Sequence, residues 1–143
     1  MMPDQVKKFI ENMTAKTVRQ EIDWKPLAEF PVEDCGFPDF RNNLWNTLNC
    51  NEFHWLLTKN SFFFHHKEGI VGLLRIENYS GRDSSQSTEY AIVVQMSPYD
   101  VIHDVTYQCF QDDLAVLYMA VLDYLNKDIS LPDDLYKFMS FYD

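Results

Sequence analysis

Four runs of aromatic and branched apolar residues between positions 53 and 96 constrain the fold of this chain more than any other feature. Such residues are enriched in β-strands, and the short polar stretches between the runs are typical of turns. The predicted strands span residues 53–58, 61–66, 70–76 and 89–96, with a fifth candidate over 101–105. The first three are predicted to be antiparallel, joined by turns at Lys59 with Asn60 and at Glu68 with Gly69, whose glycine provides a positive φ. The polar stretch 78–88 is predicted to form a mobile loop.

Apolar residues at helical spacing predict three helices outside these strands. The clearest is predicted over residues 111–126, where a continuous apolar stripe should cover the sheet. An amphipathic helix is predicted over residues 4–20, with Asp4 as its N-cap. A short helix is predicted over 132–141, because a proline and two aspartates occupy its first turn. The apolar stripe of the helix predicted over residues 111–126 consists of Leu114, Leu117, Tyr118, Val121, Leu122 and Leu125.

The segment that precedes the strands is predicted to be mostly irregular. Ile22 and Trp24 would share one face of a short strand, and Pro26 either ends this strand or marks a sheet edge. Proline, glycine and asparagine residues make the stretch 27–51 a long packed loop, with a helical turn near residues 40–48. Together the elements predict an α+β fold: an antiparallel sheet of about four to five strands, packed by a C-terminal helix and an N-terminal amphipathic helix.

Length and composition predict one cytoplasmic domain. A chain of 143 residues with 46% hydrophobic residues has the size and the apolar content of a single globular domain, here residues 1–143. The three cysteines, Cys35, Cys50 and Cys109, are widely spaced and form no Cys-x-x-Cys motif, which favours a reducing compartment. No segment resembles a signal peptide or a membrane span, so secretion and membrane insertion are disfavoured.

The charge of the chain is strongly negative and unevenly distributed. A formal net charge of −10 disfavours direct binding of nucleic acid. Residues 104–143 hold eight aspartates and only two lysines, which predicts an acidic, tyrosine-bearing face that binds a basic protein partner. The alternative is a solvated helix surface whose aspartates complement helix dipoles. The predicted partner contacts are Asp112, Asp113, Asp123, Asp133, Asp134 and Tyr136.

The patterns for metal binding, cofactor binding and catalysis are weak. His65 and His66 would point to opposite faces of a strand, so they cannot chelate one ion unless a bulge re-aims one of them. His54 could join His66 across a hairpin, but no third ligand follows at a recognised spacing. The chain has no nucleophile elbow, and its four glycines form neither a Walker loop nor a dinucleotide fingerprint. No metal and no cofactor are expected.

The layout of the chain resembles that of small uncharacterised proteins of Gram-positive bacteria and their mobile elements. The shared layout is an N-terminal amphipathic helix, a passage into a strand over residues 17–24, a meander of aromatic strands and a closing helix. In size and acidity the chain is also similar to phage-encoded inhibitors, including anti-CRISPR and nuclease-inhibiting proteins, some of which occupy nucleic-acid sites with carboxylates. This similarity implies a non-enzymatic protein-binding module that inhibits or regulates a basic nucleic-acid-handling protein.

Two alternatives remain open at the level of sequence. The first is a small enzyme that uses His54, His66 or a carboxylate in a cleft beside the 78–88 loop. The second is a structural subunit that forms oligomers through its aromatic strands.

Overall fold

The computed structural model describes residues 3–30, 37, 40–79, 86–126 and 138 of the chain. These residues form an α+β fold with a six-stranded antiparallel sheet and three α-helices, so the predicted fold class is confirmed. The helices are α1 (Pro3–Val18), α2 (Phe40–Thr47) and α3 (Gln111–Asn126). The strands are β1 (Lys25–Pro26), β2 (His54–Leu56), β3 (Phe62–His66), β4 (Gly69–Tyr79), β5 (Gln86–Gln95) and β6 (Ile102–Asp104). Within the described ranges, no helix combines the length and the apolar character needed to cross a lipid bilayer.

The helix bounds agree closely with the sequence predictions. α3 occupies the predicted residues, and α2 confirms the helical turn predicted near residues 40–48. α1 begins at Pro3, so Asp4 lies in its first turn and the prediction of Asp4 as the N-cap is wrong. The helix predicted over residues 132–141 lies outside the described residues, apart from Phe138.

The sheet separates two hydrophobic cores. One core lies between the sheet and helices α1 and α3, where Ile10, Leu73 and Leu117 are buried together. The other lies on the side of α2 and includes Phe40 and Leu74. Leu73 and Leu74 belong to different cores because successive side chains of a strand point to opposite faces. The predicted packing by the N-terminal and C-terminal helices is confirmed, and α2 packs against the other face of the sheet.

Strands β2 and β3 lie end to end along one edge of β4 and do not pair with each other. Leu56 pairs with Ile76, and Phe62 pairs with Leu73. The segment that connects β2 to β3 contains a short 3₁₀ helix, Thr58–Asn60. The hairpin turn predicted at the last two residues of that helix is therefore wrong. The physical reason is the length of β4, whose eleven residues are enough to pair with both short strands in tandem.

A two-residue turn of Lys67 and Glu68 joins β3 to β4, since His66 pairs with Gly69. The positive φ of 53° in this turn belongs to Lys67. Gly69 is needed for a different reason, because a Cβ atom there would lie 2.2 Å from the carbonyl oxygen of Gln95. The prediction that Gly69 provides the positive φ is therefore wrong, and this glycine instead allows β5 to approach β4 closely.

The passage from α1 into the sheet is anchored by Trp24. The strand predicted at Ile22 and Trp24 begins only at Lys25, as the edge strand β1, which contains Pro26. Trp24 itself is buried. Its indole Nε1 donates a hydrogen bond to Thr17 Oγ1 at 2.9 Å. Its ring packs edge-on against Phe64, with the ring centroids 4.6 Å apart. The hydrogen bond satisfies the polar atom of a side chain that otherwise fills the core.

The predicted 78–88 loop is shorter than the sequence suggests. Strands β4 and β5 remain paired as far as Tyr79 and Gln86, so both ends of that stretch are strand. Residues 80–85 lie outside the described residues. At the other end of β5, β6 confirms the fifth strand predicted over residues 101–105.

The outer edge of β5 is covered by a strand and then by a side chain. β6 pairs only with residues 93–95. Beyond it, the side-chain amide of Gln111 accepts a hydrogen bond from the Tyr90 backbone N–H and donates one to the Tyr90 carbonyl, both at 2.8 Å. The amide of Gln111 thus forms with the backbone of Tyr90 the two hydrogen bonds that a residue of a neighbouring strand would form.

Candidate functional site

The outward side of α3 carries the part of the predicted acidic surface that the structure describes. Asp112 and Asp123 are exposed, whereas Asp113 is half-buried. Between the two exposed aspartates lie Val116, 59% exposed, and Met119, 56% exposed. Spacings of three and four residues place all four exposed side chains on one side of the helix. We call Asp112, Val116, Met119 and Asp123 the α3 outer face; its two aspartates are about 16 Å apart along the helix axis.

The opposite side of α3 explains why this face is directed outward. Leu114, Leu117, Tyr118 and Val121 are buried against the sheet and α1. Because the buried stripe satisfies the packing needs of the helix, Val116 and Met119 are not required for the core. Helix α3 also contains no lysine or arginine, so nothing on the helix itself neutralises its aspartates.

The helix dipole accounts for only some of the acidic residues of α3. Asp112 and Asp113 lie in the first turn, where a negative charge interacts favourably with the partial positive charge of the helix N-terminus. Asp123 lies close to the C-terminal end, where the partial charge of the helix is negative and an aspartate is unfavourable. The dipole alternative therefore explains the first two aspartates and leaves Asp123 unexplained.

The six predicted partner contacts divide into two groups. Asp112, Asp113 and Asp123 lie on α3, although only the first and the last belong to the α3 outer face. The other predicted contacts, Asp133, Asp134 and Tyr136, lie outside the described residues.

Asp113 is half-buried and lies near Cys109. Burial, together with the negative charges of Asp113 and Asp104, raises the pKa of the Cys109 thiol. Burial also raises the pKa of Cys50, partly opposed by a hydrogen bond from the backbone of Leu56. Since the thiolate is the reactive form of cysteine, neither thiol is activated as a nucleophile.

A buried carboxylate, Glu77, forms a polar cluster that the sequence analysis did not identify. Its side chain is 3% exposed. Its Oε1 accepts hydrogen bonds from Arg75 Nε at 3.0 Å and from Thr88 Oγ1 at 2.9 Å, and its Oε2 accepts one from Gln86 Nε2 at 2.8 Å. Burial raises the pKa of Glu77, but the hydrogen bonds from these three side chains outweigh it and hold the pKa below its usual value. The cluster joins β4 to β5 as a charged but fully paired network.

The signal for this cluster is present in the sequence, but it depends on strand register. Arg75 and Glu77 are two residues apart in β4, and Gln86 and Thr88 are two residues apart in β5. Polar side chains at this spacing share one face of a strand. They meet only because Glu77 pairs with Thr88, and that register cannot be deduced from either strand alone.

The histidines do not form a common site. His54 Nδ1 lies 2.5 Å from Asn78 Oδ1 and 3.5 Å from Glu89 Oε1. His66 pairs with Gly69 at the opposite end of β4, roughly 30 Å from Asn78 at the usual rise of a strand. The suggested junction of His54 with His66 across a hairpin is therefore wrong, because the two histidines lie at opposite ends of the tandem strands.

The neighbouring histidines on β3 point to opposite faces, as predicted. The ring of His65 contacts the ring of Phe63, whereas the ring of His66 contacts that of Phe64. Burial and the positive charges of Lys67 and Lys16 lower the pKa of His66. Among the residues that the structure describes, no three His, Cys, Asp or Glu side chains are arranged to hold a metal ion.

No protein family, no curated protein and no solved structure matches this chain. Its function is therefore inferred from the geometry and the charge of the residues described above.

Proposed function

We propose that this chain is a non-enzymatic protein-binding module that inhibits or regulates a basic protein, with the α3 outer face as its contact surface. The observation that supports this proposal most directly is the composition of that face. Two exposed apolar side chains, Val116 and Met119, lie between two exposed aspartates on a helix without basic residues. Apolar side chains at the centre of a contact and charged side chains at its rim are typical of protein interfaces.

The charge of the chain supports a basic partner. The net charge of −10 attracts a positively charged protein over long distances and repels nucleic acid. Proteins that hold nucleic acid present basic surfaces, and an acidic helix is complementary to such a surface. The remaining predicted contacts, Asp133, Asp134 and Tyr136, would add two negative charges and an aromatic ring to the contact surface.

Two alternatives receive less support from the described residues. Assembly through aromatic strands would require exposed rings; Phe62, Phe63 and Phe64 are buried within one copy of the chain, which leaves only Trp55 on β2 and Tyr79 on β4, 46% and 42% exposed, among the described strand rings for such contacts. A catalytic site at a histidine would require a cleft, but neither the cavity of about 410 Å³ nor that of about 240 Å³ is lined by a histidine.

The proposal is tested by capture from host lysate followed by measurement of affinity. The purified chain serves as bait, nuclease treatment removes bridging nucleic acid, and mass spectrometry identifies the captured proteins. We expect a basic protein whose capture decreases as the salt concentration rises, because salt screens charge interactions. Capture of no protein, or only of proteins that are lost after nuclease treatment, would contradict the proposal.

Charge reversal on α3 tests the contact surface itself. We expect the double variant Asp112→Lys with Asp123→Lys to bind the captured partner at least about tenfold more weakly, because buried or rim charges of the wrong sign oppose association. The matched control is Glu29→Lys with Glu52→Lys, which changes the net charge equally at two exposed positions outside α3. Its affinity should change by no more than about threefold. Equal losses in both variants would leave only a general charge effect and would refute a contact on α3.

A further inference from the structure

The four side chains of the α3 outer face form a single line along the helix. Successive members are four, three and four residues apart, which is the alternation of the two contact positions in a heptad repeat. On a helix this alternation keeps the side chains within a narrow stripe that follows the axis. A narrow stripe about 16 Å long matches the shape of a second helix lying along α3.

The residues on both sides of this line leave room for a second helix to approach closely. Ala115 flanks the line on one side and Ala120 on the other, and both are half-buried. In a pair of packed helices, the residues at such flanking positions lie beside the backbone of the partner helix. Because alanine projects only a methyl group, these two residues permit a short distance between the helix axes.

The order of residues along the line determines the chemistry of the helix that fits it. Asp112 and Asp123 lie at its two ends, and α3 carries no lysine or arginine that would neutralise them. Val116 and Met119 lie between them, each more than half exposed. A complementary helix therefore has two apolar residues at its centre and a Lys or Arg residue at each end, at the same spacing. Since the order acidic, apolar, apolar, acidic is the same in both directions, this helix can run parallel or antiparallel to α3.

We propose that the α3 outer face binds an amphipathic α-helix of the basic partner. Two apolar residues of that helix pack on Val116 and Met119, and a Lys or Arg residue pairs with each of Asp112 and Asp123. This inference rests on the proposed function and narrows it, because it assigns the partner's recognition element to a helix. The apolar side chains leave water at the centre of the contact, while the ion pairs lie at its rim.

The experiment measures the binding of fluorescently labelled helical peptides to the purified chain by fluorescence anisotropy. The test peptide consists of alanine and glutamine, with two leucines placed between two lysines at the spacing of the α3 outer face. The control peptide has the same composition, but its lysines lie on the opposite side of the helix. We expect the test peptide to bind with a Kd on the order of 100 μM and the control peptide to bind at least about tenfold more weakly. Equal affinities of the two peptides, or no saturable binding of either, would overturn the proposal.

Variants of the apolar centre locate the peptide on α3. Val116→Gln with Met119→Gln changes two exposed positions, so the fold is preserved, and the test peptide should bind at least about tenfold more weakly. The matched control is Val18→Gln with Met96→Gln, which changes the same two residue types at positions that are 69% and 59% exposed and lie outside α3. Its affinity for the test peptide should change by no more than about twofold. Equal losses in the two double variants would overturn the assignment to α3.

An exchange of charges tests the two ends of the line. Asp112→Lys with Asp123→Lys should bind the test peptide more weakly, and it should bind a peptide with glutamates in place of the lysines more tightly than the parent chain does. No such reversal would overturn the pairing of charges. We also expect the parent chain to sediment as a monomer. A dimer that is lost in this double variant would assign the face to a second copy of the chain and overturn the proposal.

The peptide experiment and the capture from lysate have separate outcomes. If capture of a basic protein depends on Asp112 and Asp123 but the test peptide binds no better than the control peptide, the proposed function stands and the helix is excluded. If the test peptide binds on α3 but no basic protein is captured, the helix-binding surface stands and the proposed function fails.

Discussion

Glu77 shows how this chain retains a charge in its interior. Moving a carboxylate out of water is unfavourable by several kcal/mol unless other groups replace the lost water. Here Arg75, Thr88 and Gln86 replace it, and each donates a hydrogen bond to the carboxylate. Two of the donors come from β5, so the charge also holds the register between β4 and β5.

The substitution Glu77→Gln should therefore destabilise the fold. We expect the free energy of unfolding to fall by about 2 kcal/mol, because Arg75 loses its charged acceptor and the new amide group faces other donors. Urea denaturation followed by tryptophan fluorescence measures the change. Glu89→Gln alters a more exposed carboxylate and should change the stability by less than about 0.5 kcal/mol. Equal stability of Glu77→Gln and the parent chain would contradict the role of the cluster.

The same carboxylate predicts the direction of a pH effect. The pKa of Glu77 is lower in the folded chain than in the unfolded chain, so between the two values the unfolded chain binds more protons. The stabilisation is complete above the ordinary glutamate pKa of about 4.3 and is lost as the pH falls through the lower folded value. The difference in stability between the parent and Glu77→Gln should shrink in that acidic range. A difference that stays constant from neutral pH down to pH values well below 4 would contradict this assignment.

At the scale of elements, the hairpin between β3 and β4 depends on a glycine that β5 approaches closely. We expect Gly69→Ala to lower the free energy of unfolding by about 3 kcal/mol, because the new Cβ would clash with the backbone of Gln95 and Met96. Gly72→Ala is the matched control. Its nearest neighbours are side-chain atoms of Val93 and Phe40, at 3.0 and 3.2 Å, which can move.

Thermal and urea denaturation of the two alanine variants give the comparison. The loss at Gly72 should be about 1 kcal/mol, since side chains adjust more readily than a paired backbone. If Gly72→Ala were the more damaging substitution, the close approach of β5 would not be the reason for glycine at position 69.

Elements defined by local periodicity could be predicted from the sequence, whereas their pairing could not. The stripe of α3 runs from Leu114 to Leu125 within a helix of 16 residues, which is long enough to fix both the type of the element and its bounds. The tandem arrangement of β2 and β3 depends on the length of β4, which the sequence understates because Glu77 and Asn78, near the end of the strand, are polar. Glu77 becomes compatible with a buried position only through Arg75 on its own strand and its partners on β5.

Individual residues also differ in how far the sequence alone predicts their position and role. Asp112 and Asp123 could be predicted from composition and helical periodicity alone. Val116 and Met119 were detectable as apolar positions outside the buried stripe, at four and seven residues from Asp112. Gln95 gave no such signal for its buried position, because its hydrogen bonds to Pro98 and Asp100 depend on the path of the loop that follows it.

At the scale of the whole molecule, the sheet separates the α3 outer face from the core formed with α2. The α3 outer face lies beyond the core that α3 forms with α1 and the sheet. A protein partner on α3 would therefore leave the α2 side of the sheet uncovered.

The side-chain amide of Gln111 also affects how copies of this chain behave in concentrated solution. It occupies the backbone N–H and C=O of Tyr90, which would otherwise be available to a strand of another molecule. We expect Gln111→Ala to aggregate faster on mild heating, as measured by light scattering and thioflavin fluorescence. Asp112→Ala, at the adjacent exposed position, is the control, and an equal aggregation rate would show that Gln111 gives no such protection. One glutamine is thus expected to keep backbone groups at a strand edge, which would otherwise be unpaired, from nucleating fibrils.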